Sequence, residues 1–86
     1  MKTIYKYQLT TGLNELEIPY TKILNVINQE RIPTLYVLVD KKNKNKKVKV
    51  YVFGTGWEIE DDILETSEYL NTITDGLFVW HIFIQK

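Results

Sequence analysis

Eighty-six residues, eleven basic against eleven acidic side chains, 44% hydrophobic content and no cysteine describe one small folded domain, 1–86. The chain is too apolar to be disordered, the absence of cysteine excludes disulfide frameworks and thiolate metal sites, and zero net charge argues against a dedicated nucleic-acid binder. Its longest apolar run, 77–84, is interrupted by His81 and falls far short of the roughly 20 residues that span a bilayer. The stretch Met1–Lys6 lacks the apolar centre of a signal peptide, so a soluble, cytoplasmic chain without a membrane partner is expected.

Alanine is absent, while Ile, Val, Thr and Tyr are abundant, which favours strands over helices. Thr3–Leu9 alternates, with Ile4, Lys6 and Gln8 on one face and Tyr5, Tyr7 and Leu9 on the other. Thr10-Thr11-Gly12 reads as a turn into a strand at Glu15–Ile18, which Pro19 ends or marks as an edge. Lys22–Gln29 and Pro33–Asp40 follow, joined by a polar turn around Glu30-Arg31. Lys41–Asn45 is a loop, and Lys46–Phe53 is expected to pair back as a hairpin, with Val48, Val50 and Val52 on its dry side.

Gly54–Ser67 breaks the rhythm. Ile59, Ile63 and Leu70 have nearly helical spacing, and Asp61 and Asp62 suit the positive end of a first turn, which predicts a short helical turn near Asp61–Glu65. Tyr69–Thr74 resumes the alternation, Asp75-Gly76 is a hairpin signal, and Leu77–Gln85 is the closing strand. That strand is apolar on both faces: Phe78, Trp80, Ile82 and Ile84 on one, Val79, His81 and Phe83 on the other. It belongs in the middle of a sheet or in a subunit interface. Six to seven short strands predict an all-β fold, a small antiparallel sandwich or barrel.

The charges are segregated. Lys41, Lys42, Lys44, Lys46, Lys47 and Lys49 place six cations in nine positions, and Glu58, Glu60, Asp61, Asp62, Glu65 and Glu68 place six anions in eleven. Such blocks are ordinarily solvated surface, and they also suit complementary contact between copies or with a polarised partner. Catalytic signals are weak. His81 is the sole histidine and Ser67 the sole serine, no HxH or HExxH spacing offers a metal site, and adjacent Asp61 and Asp62 point in different directions. No cofactor, metal or catalytic set is expected, and the chain reads as a non-enzyme.

A binding site is the remaining candidate. Gly54-Thr55-Gly56 would form a backbone nest presenting N–H groups to an anion, or else simply a tight strand exit. Trp57 and Trp80 would supply indoles, His81 an imidazole, and Lys47 and Lys49 positive charge toward an anionic ligand. The plainer alternatives are a satisfied interior or interface histidine and aromatics engaged in packing. An oligonucleotide-binding barrel, with the aromatics stacking bases, is a further reading that the neutral charge disfavours.

A set of segments carries a resemblance: Met1-Lys2-Thr3-Ile4-Tyr5-Lys6-Tyr7, Ile23-Leu24, Pro33–Asp40, Phe53-Gly54-Thr55-Gly56, Ile59, Asp61-Asp62, Tyr69 with Thr72, and Val79-Trp80-His81-Ile82-Phe83. In this order the chain resembles a widespread family of small phage and prophage proteins of unknown function, departing from it in the lysine-dense Lys41–Lys49 loop and at Tyr36, where tryptophan is common. The resemblance implies a non-enzymatic phage accessory protein in the cytoplasm of an infected host, countering a host defence system by binding. Its expected partners are other copies of itself in a homo-oligomer, and either a small nucleotide-type signal or a host protein that it occludes. A virion or assembly component is the third expectation.

Overall fold

The computed structural model describes residues 1–86 and contains seven strands and one short helix: β1 Lys2–Gln8, β2 Gly12–Ile18, β3 Tyr20–Gln29, β4 Ile32–Asp40, β5 Lys46–Gly54, α1 Asp61–Thr66, β6 Glu68–Thr74 and β7 Val79–Gln85. All strand pairs are antiparallel, in a three-stranded sheet β1-β4-β3 and a four-stranded sheet β2-β5-β7-β6. Of the two expected all-β arrangements, the sandwich is the one formed. No helix is long and apolar enough to cross a membrane.

The interior follows from alternation. Leu35, Val37 and Val39 on β4 and Val26 on β3 face Val48, Val50 and Val52 on β5 and Ile82 and Ile84 on β7, and all are buried. Each such side chain contributes roughly 1.5–3 kcal/mol by leaving water, and nearly all are β-branched, which suits a pleated surface. β7 lies between β5 and β6, the central place that its two apolar faces require.

The Lys46–Phe53 segment is a strand, but it does not form a hairpin with its predecessor. β5 pairs with β2 and β7, whereas β4 pairs with β1 and β3. The connecting turn, closed by Asn43 N–H on the Asp40 carbonyl and Lys42 N–H on Asp40 Oδ1, steps from one sheet to the other. The physical reason is that both strands carry one continuous apolar face. Placed in opposite sheets, the valines of β4 and β5 cover each other; side by side in one sheet, they would not.

At Glu30-Arg31 both residues have positive φ, 52° and 68°, the two-residue geometry that matches the twist of the β3–β4 hairpin. β5 and β6 both run antiparallel to β7, so their connection, 55–67, must travel the length of the sheet with α1 inside it. Along one side of the sandwich, β3 and β6 are drawn together. Asn71 Nδ2 donates to Asn25 Oδ1 and to the Val26 carbonyl, both at 2.7 Å, and each strand has a register shift beside its asparagine. The other side, bounded by β1 and β2, has no such bridge.

Candidate functional site

β5 ends in a tight turn. Trp57 N–H donates to the Gly54 carbonyl at 3.1 Å, and Gly56 has φ of +89°, a value that favours glycine. Thr55 N–H donates to the Val79 carbonyl at 3.3 Å, extending the β5–β7 ladder past the Gly54–Trp80 pair. Gly54-Thr55-Gly56 thus forms a tight strand exit in which the Thr55 N–H serves the ladder. Gly54 has a different purpose. A Cβ there would lie 2.7 Å from Trp57 Nε1, so only glycine lets the indole fold over the strand end.

The indole of Trp57 meets that of Trp80 edge to face with centroids 5.7 Å apart, and Phe78 lies against Trp80 at 5.8 Å. Such pairs contribute about 0.5–1.5 kcal/mol beyond area burial. The β6–β7 hairpin is held by Asp75. Its Oδ1 accepts from Phe78 N–H at 2.7 Å and Leu77 N–H at 2.9 Å, and its Oδ2 accepts from Trp80 Nε1–H at 3.3 Å. The backbone N–H of Phe78 and then that of Leu77, with a smaller contribution from the Trp80 indole, hold this carboxyl below the ordinary aspartate value.

Between the turn and the hairpin opens a cleft of about 620 Å³, lined by Gly54, Thr55, Trp57, Leu77, Phe78, Val79 and Trp80. Its apolar walls reach water: Leu77 is 77% exposed, Phe78 60% and Trp57 48%. The lining contains no cation. The carboxylates of Glu58, Glu60, Asp61 and Asp62 follow Trp57 directly, all exposed.

His81, one residue beyond Trp80, points to the opposite face of the sheet. Its Nε2 is 2.7 Å from Thr55 Oγ1 and its Nδ1 3.0 Å from Thr72 Oγ1, so both ring nitrogens are engaged. The imidazole fastens the exit of β5 to β7 and β6. On the same outward face Tyr51 stacks on Phe53, Phe53 meets Phe83 at a tilt, and Phe83 meets Tyr69 edge to face. No group of three or more His, Asp or Glu side chains converges anywhere in the chain.

Of the residues singled out from sequence, the structure brings together Gly54, Thr55, Gly56, Trp57 and Trp80, with His81 linked through Thr55 on the reverse face. Lys47 and Lys49 are not brought to them. They lie opposite Glu17 and Glu15 of β2, and Lys49 is five strand residues from Gly54, roughly 17 Å away. Sequence reasoning missed Leu77, Phe78 and Val79 as members of the cleft, and Asp75 as the residue that holds its hairpin wall. The available signal was an aspartate followed by two residues whose N–H groups its side chain can reach, the pattern of an Asx turn.

Comparison with protein families matches residues 1–86 to a domain of unknown function (DUF7352). No curated protein and no solved structure matches the chain. With the family match running from Met1 to Lys86, the chain belongs to the DUF7352 family.

Proposed function

We propose that this protein is a non-catalytic binding module that occludes a partner protein, taking an apolar, basic-flanked segment of that partner into the cleft between Trp57 and Phe78. The observation that carries this reading is an ordered apolar rim left in water. Asp75 fixes the hairpin with three hydrogen bonds, yet Leu77, Phe78 and Trp57 remain exposed around a concave site. Clustered exposed apolar groups on a rigid frame are characteristic of recognition surfaces. The acidic run after Trp57 favours a partner segment carrying lysine or arginine and would speed its approach.

A nucleotide-type ligand fits less well. The cleft lining has no cation, and Lys47 and Lys49 stand opposite glutamates at the far end of β5. Joined to the resemblance to phage and prophage proteins, the reading makes the partner a host protein whose surface segment is blocked in the infected cell.

Tryptophan fluorescence tests it. Short synthetic peptides pairing leucine and phenylalanine with lysine should quench or shift the emission saturably. The same peptides with glutamate in place of lysine should bind at least about tenfold more weakly, and Trp57→Ala should abolish the response while preserving the circular dichroism spectrum. Equal binding of both peptide sets, or an unaffected Trp57→Ala variant, would overturn the proposal, as would a nucleotide released from the purified protein on denaturation.

A further inference from the structure

Four strands form the edges of the two sheets, and three of them are guarded against pairing with another strand. β3 and β6 contain register shifts and are tied to each other through Asn71. β2 is bounded by Gly12, at φ of +86°, and by Pro19, and its Asn14 amide donates to the Thr10, Gly12 and Val50 carbonyls. β1 has none of these protections. It pairs with β4 from Lys2 to Gln8 without a shift, contains neither proline nor glycine, and exposes six of its seven residues. An unbroken backbone edge with wet side chains on both faces is a template for strand addition.

The geometry points to a second copy of this chain as the occupant: β1 pairs antiparallel with β1 of another protomer about a twofold axis at Tyr5, joining two three-stranded sheets into one of six strands. A twofold axis perpendicular to the sheet keeps inward faces on the same side, so directly opposed residues must share a face and the axis must pass through a residue. Centring on Ile4 opposes Lys2 to Lys6 twice, and centring on Lys6 opposes that lysine to itself. Centring on Tyr5 instead sets Lys6 against Ile4, Thr3 against Tyr7 and Lys2 against Gln8. No like charges then meet, and Thr3–Tyr7 is a favourable β-branched–aromatic pair.

Charge over the whole molecule favours the same arrangement. β1 starts beside the lysine-rich turn, with Lys2 opposite Asp40, and leads toward the cleft end, where Gly12 lies opposite Val52. Antiparallel pairing therefore turns the lysine-rich end of each protomer toward the end of its partner from which Glu58, Glu60, Asp61 and Asp62 set out. The contact is closed by its own symmetry and leaves no free β1 edge for further addition.

Sedimentation equilibrium of the wild-type protein should show a dimer. Ile4→Lys places two new lysines opposite Lys6 across the axis and should weaken the dimer on the order of tenfold. Ile4→Glu forms two opposite-charge pairs there and should leave the dimer as tight or tighter. Ile4 is 57% exposed, so both variants should keep the wild-type circular dichroism spectrum. Because the chain has no cysteine, Tyr5→Cys should give a disulfide-linked dimer on mild oxidation, whereas Ile27→Cys, on the β3 edge, should stay monomeric. A wild-type monomer, indistinguishable Lys and Glu variants, or equal cross-linking at both cysteine positions would each overturn the inference.

Discussion

Trp80 and His81 are neighbours on β7, yet the surfaces they face are finished in opposite ways. On the His81 side, polar and aromatic groups are paired off. Both imidazole nitrogens have hydroxyl partners, and Tyr51 and Phe53, although they point away from the sandwich interior, are only 6% and 9% exposed within their aromatic stack. On the Trp80 side the frame is equally ordered, but Leu77, Phe78 and Trp57 are left wet. Residue type alone does not separate packing from recognition. What separates them is whether a well-held apolar group has found its cover inside the chain.

That contrast can be broken or sharpened experimentally. The largest effect is expected from Ile82→Ala. Ile82 is fully buried, directly after His81 on the strand that supports both surfaces, and the substitution should cost about 2–5 kcal/mol in denaturant unfolding. His81→Ala should cost less, about 1–2 kcal/mol for two exchanged hydrogen bonds, and should leave peptide binding in the cleft unchanged. Loss of binding in that variant with the fold intact would mean that the two faces form one site. The smallest effect is a response to acid. The Asp75 carboxyl ionises below the ordinary 3.8 in the folded chain, so over that interval the folded state holds fewer protons than the unfolded one. Its contribution is complete above the ordinary value and declines as pH falls through the lowered folded one. Trp80 emission should change there, and Asp75→Asn should abolish the pH step; a step that survives in the variant would assign it to another carboxylate.

Much of the fold could be read from alternation. Val48, Val50 and Val52 marked the inward face of β5, the doubly apolar Val79–Ile84 stretch marked a central strand, and Asp61–Asp62 marked the start of α1. Alternation names a face but not a neighbour, which is why the strand at Lys46 was expected against β4. The same gap hid Glu15 and Glu17 as partners of Lys49 and Lys47, since cross-strand register depends on the whole sheet. In the candidate site, the meeting of Trp57 with Trp80 was legible from the two glycine-flanked and aromatic segments. Leu77 and Phe78 were expected in the last strand because Phe78 continues the spacing of Trp80 and Ile82. The Asp75 side chain captures their N–H groups first, and the strand begins at Val79. Nor could the Gly54 requirement be seen in one dimension, because it arises from an indole that returns over the backbone three residues later.

The strand order also has a consequence for synthesis. β1 and β2 emerge first, yet their ladder partners are β4 and β5, and β7, which holds β5 and β6 together, emerges last. A nascent chain still lacking Val79–Gln85 has no four-stranded sheet to complete, and its Val48–Val52 face has lost Ile82 and Ile84. Such long-range pairing makes closure slow and defers it until β7 has been made. Until β7 is in place, the Val48–Val52 face stays partly uncovered, an apolar surface of the kind that makes folding intermediates prone to aggregate.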